Sequence, residues 1–214
     1  MRSHLTRACI TLVMVCAVWS TTTHSQARQS AAPPPAVAIQ AIALREAALA
    51  RRLADFGPAP YRAVTWRAGT RGDMASFFKQ APLDGLALAL RDSNATLVAV
   101  QRRPEPGEVE SFARATGRAV LDLTPLNEDL EDMLALMGLV DDYVCVSNTN
   151  IHLRAARGRV SRVLVPNPPE FRWMARGTES PWFPGTRVYR QGVDGGWQAA
   201  LDALARDLRA DRQG

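Results

Sequence analysis

The sequence predicts an α/β protein with a doubly wound, mostly parallel, Rossmann-like sheet. From about residue 61 onward, short apolar runs alternate with amphipathic helical segments, and turn residues separate them. Strands that alternate with helices form βαβ units, whose strands lie parallel in one two-sided sheet. The composition agrees, because 47% of the residues are apolar and 22% are charged, which is ordinary usage for a globular protein.

The strands are predicted from short runs of apolar and β-branched residues. They lie at residues 62–66, 96–101, 118–123, 142–147, 162–166 and 187–191. Helices are predicted between them near residues 82–91, 107–116, 127–139 and 150–157, with a closing helix at 196–212. We expect the fourth strand to lie beside the first, so that their carboxyl ends open into one crevice, the usual ligand site of such sheets.

The amino terminus has the parts of a secretory signal. Residues 1–27 combine a basic start, the apolar run ACITLVMVCAVW and a polar segment that ends in a cleavage signal. The apolar run is too short to span a bilayer stably, so no stable membrane span is expected. Residues 28–60 are interpreted as a linker and an amphipathic helix over 37–56. The folded domain is expected over residues 61–214.

Charge and cysteine content argue against several classes of function. The net charge is only +5, and the basic residues are spread among acids, so nucleic acid is not an expected partner. Cys9 and Cys16 lie in the leader and Cys145 lies in an apolar strand, so we expect no disulfide framework and a buried Cys145. No cluster of histidine and cysteine has metal-ligand spacing, so neither a metal nor another cofactor is predicted.

The turn after the fourth strand is the most informative segment for function. Ser147, Asn148, Thr149 and His152 lie where that strand ends and the next helix begins. Backbone N–H groups at a helix start have no partner within the helix, and the helix dipole favours negative charge there. The first hypothesis is therefore a phosphorylated ligand.

Several segments of the chain resemble one family of enzymes. They are VTWRAGT, KQAPLDGLALAL, VAVQRRPEPGE, NEDLEDMLALMGLVDDYVCVSNTNIHL, RVLVPNPPEFRWM and SPWFPGTRVYRQ. Over about residues 60–212 they resemble the carboxyl-terminal half of bacterial GT-B glycosyltransferases. The resemblance is greatest to the domain that follows tetratricopeptide repeats, and more distant to heptosyltransferases and O-linked N-acetylglucosamine transferases. It implies a metal-independent domain that binds the diphosphate of a nucleotide-sugar donor.

The resemblance also implies a set of nucleotide-sugar-binding residues, which are Arg67, Gly69, Thr70, Lys79, Gln101, Ser147, Asn148, Thr149 and His152. In that family, a lysine at the position of Lys79 neutralises the diphosphate, and the residue at the position of Gln101 contacts the nucleoside. The turn matches a motif written D-T-x-x-x-H, in which Ser147 replaces the aspartate and Asn148 the threonine. No residue is assigned a catalytic role.

Purely structural roles are alternative interpretations for some of these residues. His152 can be a hydrogen-bonding residue at a helix start, and Lys79 can be an ordinary solvated lysine. Four aromatic residues near the carboxyl terminus are expected to pack over the sheet edge rather than to stack on a sugar: Trp173, Trp182, Phe183 and Tyr189.

Two charged or rigid segments are also given structural roles. The acids Asp129, Glu131 and Asp132 are expected to form a charged helical face, with Asn127 as the helix cap. The NPPEF segment that follows the fifth strand is interpreted as a rigid turn.

Catalysis in this family depends on a second domain. GT-B enzymes bind the acceptor, and usually carry the general base, in an amino-terminal domain, so the chain is expected to be incomplete for catalysis alone. Three interpretations stay open: a glycosyltransferase domain that needs an acceptor-binding or repeat-containing partner, a non-catalytic nucleotide-binding or interaction module, and a truncated remnant of a repeat-containing glycosyltransferase. Because nucleotide sugars are cytoplasmic, a cytoplasmic location is favoured, whereas a genuine leader would imply export or membrane tethering.

Overall fold

The sheet has six strands, and every neighbouring pair is parallel. The computed structural model describes residues 35–69 and 79–211. The strands are β1 (Tyr61–Thr65), β2 (Thr96–Ala99), β3 (Val120–Asp122), β4 (Asp142–Val146), β5 (Arg162–Val165) and β6 (Arg187–Arg190), in the spatial order β3–β2–β1–β4–β5–β6. The predicted fold class is therefore confirmed, as is the placement of the fourth strand beside the first.

Helices cover both faces of the sheet. In the described residues they are α1 (Pro35–Phe56), α2 (Leu83–Leu90), α3 (Glu108–Thr116), α4 (Leu130–Leu139), α5 (Thr149–Ala156) and α6 (Gln198–Ala210), with 3₁₀ turns at Thr124–Glu128 and Phe171–Trp173. Helices α1, α4 and α5 contribute to one core, and α2, α3 and α6 to the other. None of these helices combines the length and apolar character that crossing a bilayer requires.

The sequence of strand β4 is apolar because both faces of the strand are buried. Successive side chains of a strand point to opposite faces, and here both faces are covered. Tyr143 and Cys145 enter the core beneath α1, α4 and α5, whereas Val144 and Val146 enter the other core. All four side chains are buried, so the prediction of a buried Cys145 is confirmed.

Helix α1 is packed on the domain rather than separated from it. Leu53 is 1% exposed and lies in the core with residues of α4. Arg45 forms ion pairs with Glu131, at 3.0 Å, and with two neighbouring aspartates of the same helix start. The described residues, 35–69 and 79–211, fall in one compact unit, which includes α1. The division of the chain into 1–27, 28–60 and 61–214 stays a prediction.

The start of α4 differs in one respect from the sequence-based expectation. The charged face is present, but the prediction of Asn127 as the cap is wrong. Asp129 caps the helix, because its carboxylate accepts hydrogen bonds from the backbone N–H groups of Glu131 and Asp132 at 2.8 and 3.2 Å. Asn127 lies in the preceding 3₁₀ turn and donates to the carbonyls of Val100 and Thr124.

The four aromatic residues divide into a buried group and one exposed residue. Trp173, Phe183 and Tyr189 are 1%, 7% and 5% exposed, as expected for core residues. Trp182 is 60% exposed, so the prediction that it packs as core is wrong. It makes an edge-to-face contact with the exposed Phe171, with ring centroids 5.6 Å apart. In the loop between β5 and β6, Trp173 and Phe183 are therefore buried, whereas Phe171 and Trp182 are exposed.

A buried ion network fixes the amino ends of the central strands. Asp142 accepts from the Nε of Arg62 at 2.7 Å and from the Nε of Arg162 at 3.0 Å. Each arginine has a further acceptor, since Arg62 also reaches the hydroxyl of Ser93 and Arg162 that of Tyr189. Burial raises the pKa of Asp142, but the two guanidinium groups more than offset it, so this pKa lies below its ordinary value.

Candidate functional site

A pocket of about 440 Å³ opens at the carboxyl ends of β1, β2 and β4. The strand order reverses between β1 and β4, because β2 and β3 lie on one side of β1 and the later strands on the other. Such a reversal leaves a crevice between the two connections, where ligands bind in open α/β sheets. The predicted site residues that line this pocket are Arg67, Gly69, Lys79, Gln101, Ser147, Asn148, Thr149 and His152. Thr70 lies outside the described residues.

Gln101 holds the first loop of the pocket in place. Its side chain is buried, and its Oε1 accepts from the backbone N–H groups of Trp66 and Arg67 at 3.2 and 3.0 Å. Its Nε2 donates to the carbonyls of Arg67 and Arg102 at 3.0 and 2.9 Å. The amide nitrogen of Gln101 therefore makes two hydrogen bonds to backbone carbonyls, and its oxygen accepts two from backbone N–H groups. The contact of Gln101 with a nucleoside stays a prediction. The structure adds a second role, in which Gln101 positions the backbone of the loop after β1.

Arg67 is fixed by a carboxylate behind the pocket. Its guanidinium donates to Glu108 at 2.6 Å, and the same carboxylate accepts from the indole N–H of Trp66 at 2.8 Å and the backbone N–H of Glu105 at 2.8 Å. Burial raises the pKa of Glu108, but these hydrogen bonds and the charge of Arg67 outweigh it, so the pKa is lowered. Glu108 is thus a permanent anion that compensates Arg67.

The turn after β4 forms the start of helix α5. Asn148 caps the helix, with its Oδ1 accepting from the backbone N–H of Asn150 at 2.8 Å and its Nδ2 donating to the carbonyl of Val146 at 2.8 Å. An asparagine at this position satisfies one N–H group of the first turn and leaves others facing the pocket. Ser147 is buried at the end of β4, whereas Thr149 is exposed.

Buried polar groups form the floor of the pocket. The hydroxyl of Tyr143 lies 2.9 Å from that of Thr65 and accepts from the amide of Asn148 at 2.9 Å. Asn150 donates to Asn127 at 3.3 Å. Burial raises the pKa of Tyr143 well above its ordinary value, so the phenol is neutral. The sequence did not identify Asn127 and Asn150 as pocket residues, because their hydrogen bond joins a 3₁₀ turn to the start of a helix 23 residues later.

His152 lies on the first turn of α5 and is exposed to solvent. Its ring makes an edge-to-face contact with Phe183, with centroids 5.0 Å apart, and Phe183 stacks on Trp173 at 5.3 Å. The aromatic core of the β5–β6 loop therefore supports one side of the imidazole. The ring is held at the rim of the pocket, where its nitrogen atoms can reach a ligand.

Lys79 is not an ordinary solvated lysine. Its side chain is 27% exposed, and its Nζ forms an ion pair with Glu170. Glu170 also pairs with Arg172, and Ser147 donates to it at 3.3 Å. Burial raises the pKa of Glu170, but the hydrogen bond from Lys79 and the two cationic charges outweigh it, so the pKa is lowered. Glu170 is therefore an anion that joins Lys79, Arg172 and Ser147.

Glu170 is another residue of this site that the sequence did not indicate. It belongs to the NPPEF segment, which was interpreted as a rigid turn, and it precedes the 3₁₀ turn Phe171–Trp173. The one available signal was its place after β5, because the carboxyl end of β5 lies beside that of β4 in the parallel sheet. A charged residue in that loop is brought next to the turn after β4.

The lining of the pocket is basic. Its cationic residues are Arg67, Lys79, Arg102, Arg103 and Arg172, and its described residues include neither aspartate nor glutamate. Arg103 has a φ of 47°, which is uncommon for a residue other than glycine, and its carbonyl accepts from Arg67 at 3.3 Å. Strained backbone of this kind clusters at functional sites. The pocket is electrostatically suited to an anion.

A metal would need a cluster of ligands, and residues 35–69 and 79–211 contain no group of three or more histidine, cysteine, aspartate or glutamate side chains placed to hold one. Metal independence stays a prediction.

Comparisons with known proteins give a distant likeness of fold. No family model and no curated protein matches the sequence. Among solved structures, the chain is similar to the E. coli heptosyltransferase WaaC with ADP, at 21% sequence identity and a TM-score of 0.46. The match covers 77% of this chain and 49% of that one, so this chain spans about half the length of that protein.

Proposed function

We propose that this pocket binds a nucleoside diphosphate, as the donor-binding half of a metal-independent, nucleotide-sugar-dependent glycosyltransferase. The observation that carries the proposal is the pocket itself: a basic lining and the start of helix α5 meet at the reversal point of a parallel sheet. Anions bind where helix N–H groups and cationic side chains converge. A volume of about 440 Å³ is ample for a ligand of nucleotide size.

The proposed chemistry is stabilisation of a leaving group. When a glycosidic bond to a nucleoside diphosphate breaks, negative charge develops on the departing phosphate. Lys79, Arg172 and the start of α5 all lie at this pocket, so they can neutralise this charge once the diphosphate is bound. The ion pair of Lys79 with Glu170 supports this role, because the ammonium lies beside an anion at the pocket.

Acceptor activation is assigned to a partner or to another domain. Transfer also requires an acceptor hydroxyl held in line with the anomeric carbon and a base that takes its proton. The polar groups of the pocket floor are used internally, since Asn127, Asn148 and Asn150 hydrogen-bond to neighbours. We therefore expect slow hydrolysis of the donor at most from this chain alone. The cytoplasm, where nucleotide sugars are made, is the proposed location.

Calorimetric titration of the full chain tests the binding proposal. The ligands are ADP, UDP, GDP and CDP, each compared with its parent nucleoside. We expect at least one diphosphate to bind, and its nucleoside to bind much more weakly, because the diphosphate makes the charged contacts. If no diphosphate binds, or if the nucleoside binds equally well, the proposal fails.

A turnover assay separates the donor-binding domain from a complete enzyme. The full chain is incubated with candidate nucleotide sugars and a pool of acceptors, and products are followed by mass. Slow release of free sugar is the expected result. Multiple-turnover transfer that His152→Ala abolishes would show that the chain needs no further domain. Tight binding with no chemistry at all would instead favour a non-catalytic nucleotide-binding module.

A further inference from the structure

We propose that Glu170 is a built-in competitor for the anion site, which an incoming diphosphate must displace from Lys79 and Arg172. This inference rests on the proposed function, since it concerns how the same pocket selects its ligand. Glu170 thereby becomes a residue that determines specificity: it lowers the affinity of the pocket for anions in general. Only a ligand with further contacts, such as those of a nucleoside, then binds well.

The geometry places the carboxylate between two of the cations of the pocket. Lys79 pairs with its Oε1, and Arg172 pairs with its Oε2. The hydroxyl of Ser147, at the end of β4, donates to the same Oε2 at 3.3 Å. Each of these three donors comes from a residue that lines the pocket. A phosphate bound to the same donors would therefore stand where the carboxylate now stands.

The way in which Glu170 is held distinguishes it from a structural carboxylate. Glu108 accepts from a backbone N–H and from a buried indole N–H, in addition to its arginine. The described contacts of Glu170 are all with side chains, two of which, Lys79 and Arg172, are long and partly exposed. Such contacts can open without disturbing the backbone. Glu170 is exchangeable, whereas Glu108 is fixed.

Unmet hydrogen-bonding capacity supports the same view. Within the described residues, the buried Nε of Arg172 has no hydrogen-bond partner, and the buried Oε1 of Glu170 has only its ion pair with Lys79. Buried polar atoms of this kind are uncommon in a finished structural network. One carboxylate does not satisfy both cations, and a diphosphate offers more acceptor oxygens. The cluster is better matched to the larger anion than to Glu170.

The test compares pyrophosphate binding by the full chain and by Glu170→Gln. Pyrophosphate is the probe because it carries the charge of the ligand without its nucleoside. Glutamine keeps the shape of the side chain and removes its charge, so the competitor is lost. We expect Glu170→Gln to bind pyrophosphate roughly tenfold more tightly, the low end of what a charge-assisted hydrogen bond represents. The nucleoside diphosphate that binds the parent protein should gain by a similar factor.

The matched control is Glu110→Gln, which removes the same charge from an exposed position on α3. It should leave pyrophosphate affinity unchanged, which separates the local effect from a change in net charge. If Glu170→Gln does not fold, Glu170→Asp is measured instead, and it should tighten binding severalfold because the shorter carboxylate cannot bridge both cations.

The outcomes separate the two proposals. Unchanged or weaker pyrophosphate binding by Glu170→Gln, in a folded protein whose parent binds a nucleoside diphosphate, would show that Glu170 only positions Lys79. That result would overturn the competitor role and leave the proposed function intact. If neither protein binds pyrophosphate or any nucleoside diphosphate, both proposals fall.

Discussion

The two ends of the sheet contain similar charges used in different ways. At the amino end, Asp142 lies between Arg62 and Arg162, and at the carboxyl end, Glu170 lies between Lys79 and Arg172. In each cluster one carboxylate meets two cations, and at the amino end Arg162 also pairs with Asp211. A carboxylate between two cations therefore does not by itself separate a structural network from a binding site.

The two clusters differ in the solvent exposure of their cations and in the number of further hydrogen-bond partners. The side chain of Arg62 is 6% exposed, and it has Ser93 as a second acceptor. The side chains of Lys79 and Arg172 are 27% and 29% exposed, and they line an open pocket. Buried charged groups must find all their hydrogen-bond partners within the protein, because neither solvent nor ligand can reach them. Cations that line an open pocket can exchange their carboxylate partner for a ligand, so they are available for binding.

The largest expected effect comes from breaking the cluster at the amino end. Asp142→Asn would remove the carboxylate that lies between the buried Arg62 and the half-buried Arg162. Arg162 keeps its ion pair with Asp211. We expect unfolding by denaturant to show a loss of about 3 kcal/mol. Ligand binding by the folded protein should not change. Asp202→Asn, at an exposed position on α6, is the control and should alter stability by no more than about 0.5 kcal/mol. A loss as small in Asp142→Asn would mean that this network is not structural.

The same substitution predicts a change in pH dependence. The pKa of Asp142 is lower in the folded protein than its ordinary value, so its charge stabilises the fold above the ordinary pKa of an aspartate. That contribution is lost as the pH falls through the lowered pKa. We expect the stability difference between the parent and Asp142→Asn to be constant near neutral pH and to shrink in acid. A difference that grows in acid would contradict the assigned direction.

The next effect concerns the carboxyl end and should appear in binding rather than in stability. Lys79→Ala should weaken binding of a nucleoside diphosphate by about 1.5 to 3 kcal/mol, the worth of a charge-assisted hydrogen bond. Its unfolding free energy should change by no more than about 0.5 kcal/mol, because the ammonium is partly exposed. Arg206→Ala removes a charge from an exposed position on α6 and is the control. Equal affinities of Lys79→Ala and the parent would remove the lysine from the site.

The smallest effect is expected for the exposed aromatic residue beyond the pocket. Trp182→Ala removes a side chain that is 60% exposed and contacts Phe171. We expect a change in unfolding free energy of about 0.5 kcal/mol or less, as for other surface substitutions. A loss of several kcal/mol on denaturant unfolding would instead mean that Trp182 packs as part of the core.

Local pattern was enough to predict the elements and one side of the site. The six strands follow from apolar runs whose side chains are buried on both faces, as Val144 and Cys145 illustrate. The turn from Ser147 to His152 was identified because a helix start at a strand end has a fixed chemistry. Lys79 entered through the family resemblance rather than through its spacing.

Contacts between distant loops could not be predicted in this way. Glu170 acquires its role only because β5 lies beside β4, which brings its loop to Lys79. Asn127 was predicted as the cap of α4, but it lies in the preceding 3₁₀ turn, where its amide donates to two backbone carbonyls. Trp182 is exposed although the next residue, Phe183, is buried, so position in the chain does not decide burial in this loop. Each of these outcomes is decided by tertiary packing.

The account is tested most directly by mapping where the ligand binds. Backbone amide resonances of the full chain are followed by NMR during titration with the nucleoside diphosphate that binds best. We predict that the largest shifts fall on Gly69, the turn at residues 147–152 and the loop of Glu170, while Asp142 and Arg162 at the opposite end stay unchanged. Shifts concentrated at the amino ends of the strands, or none at saturating ligand, would contradict the assignment of the binding site.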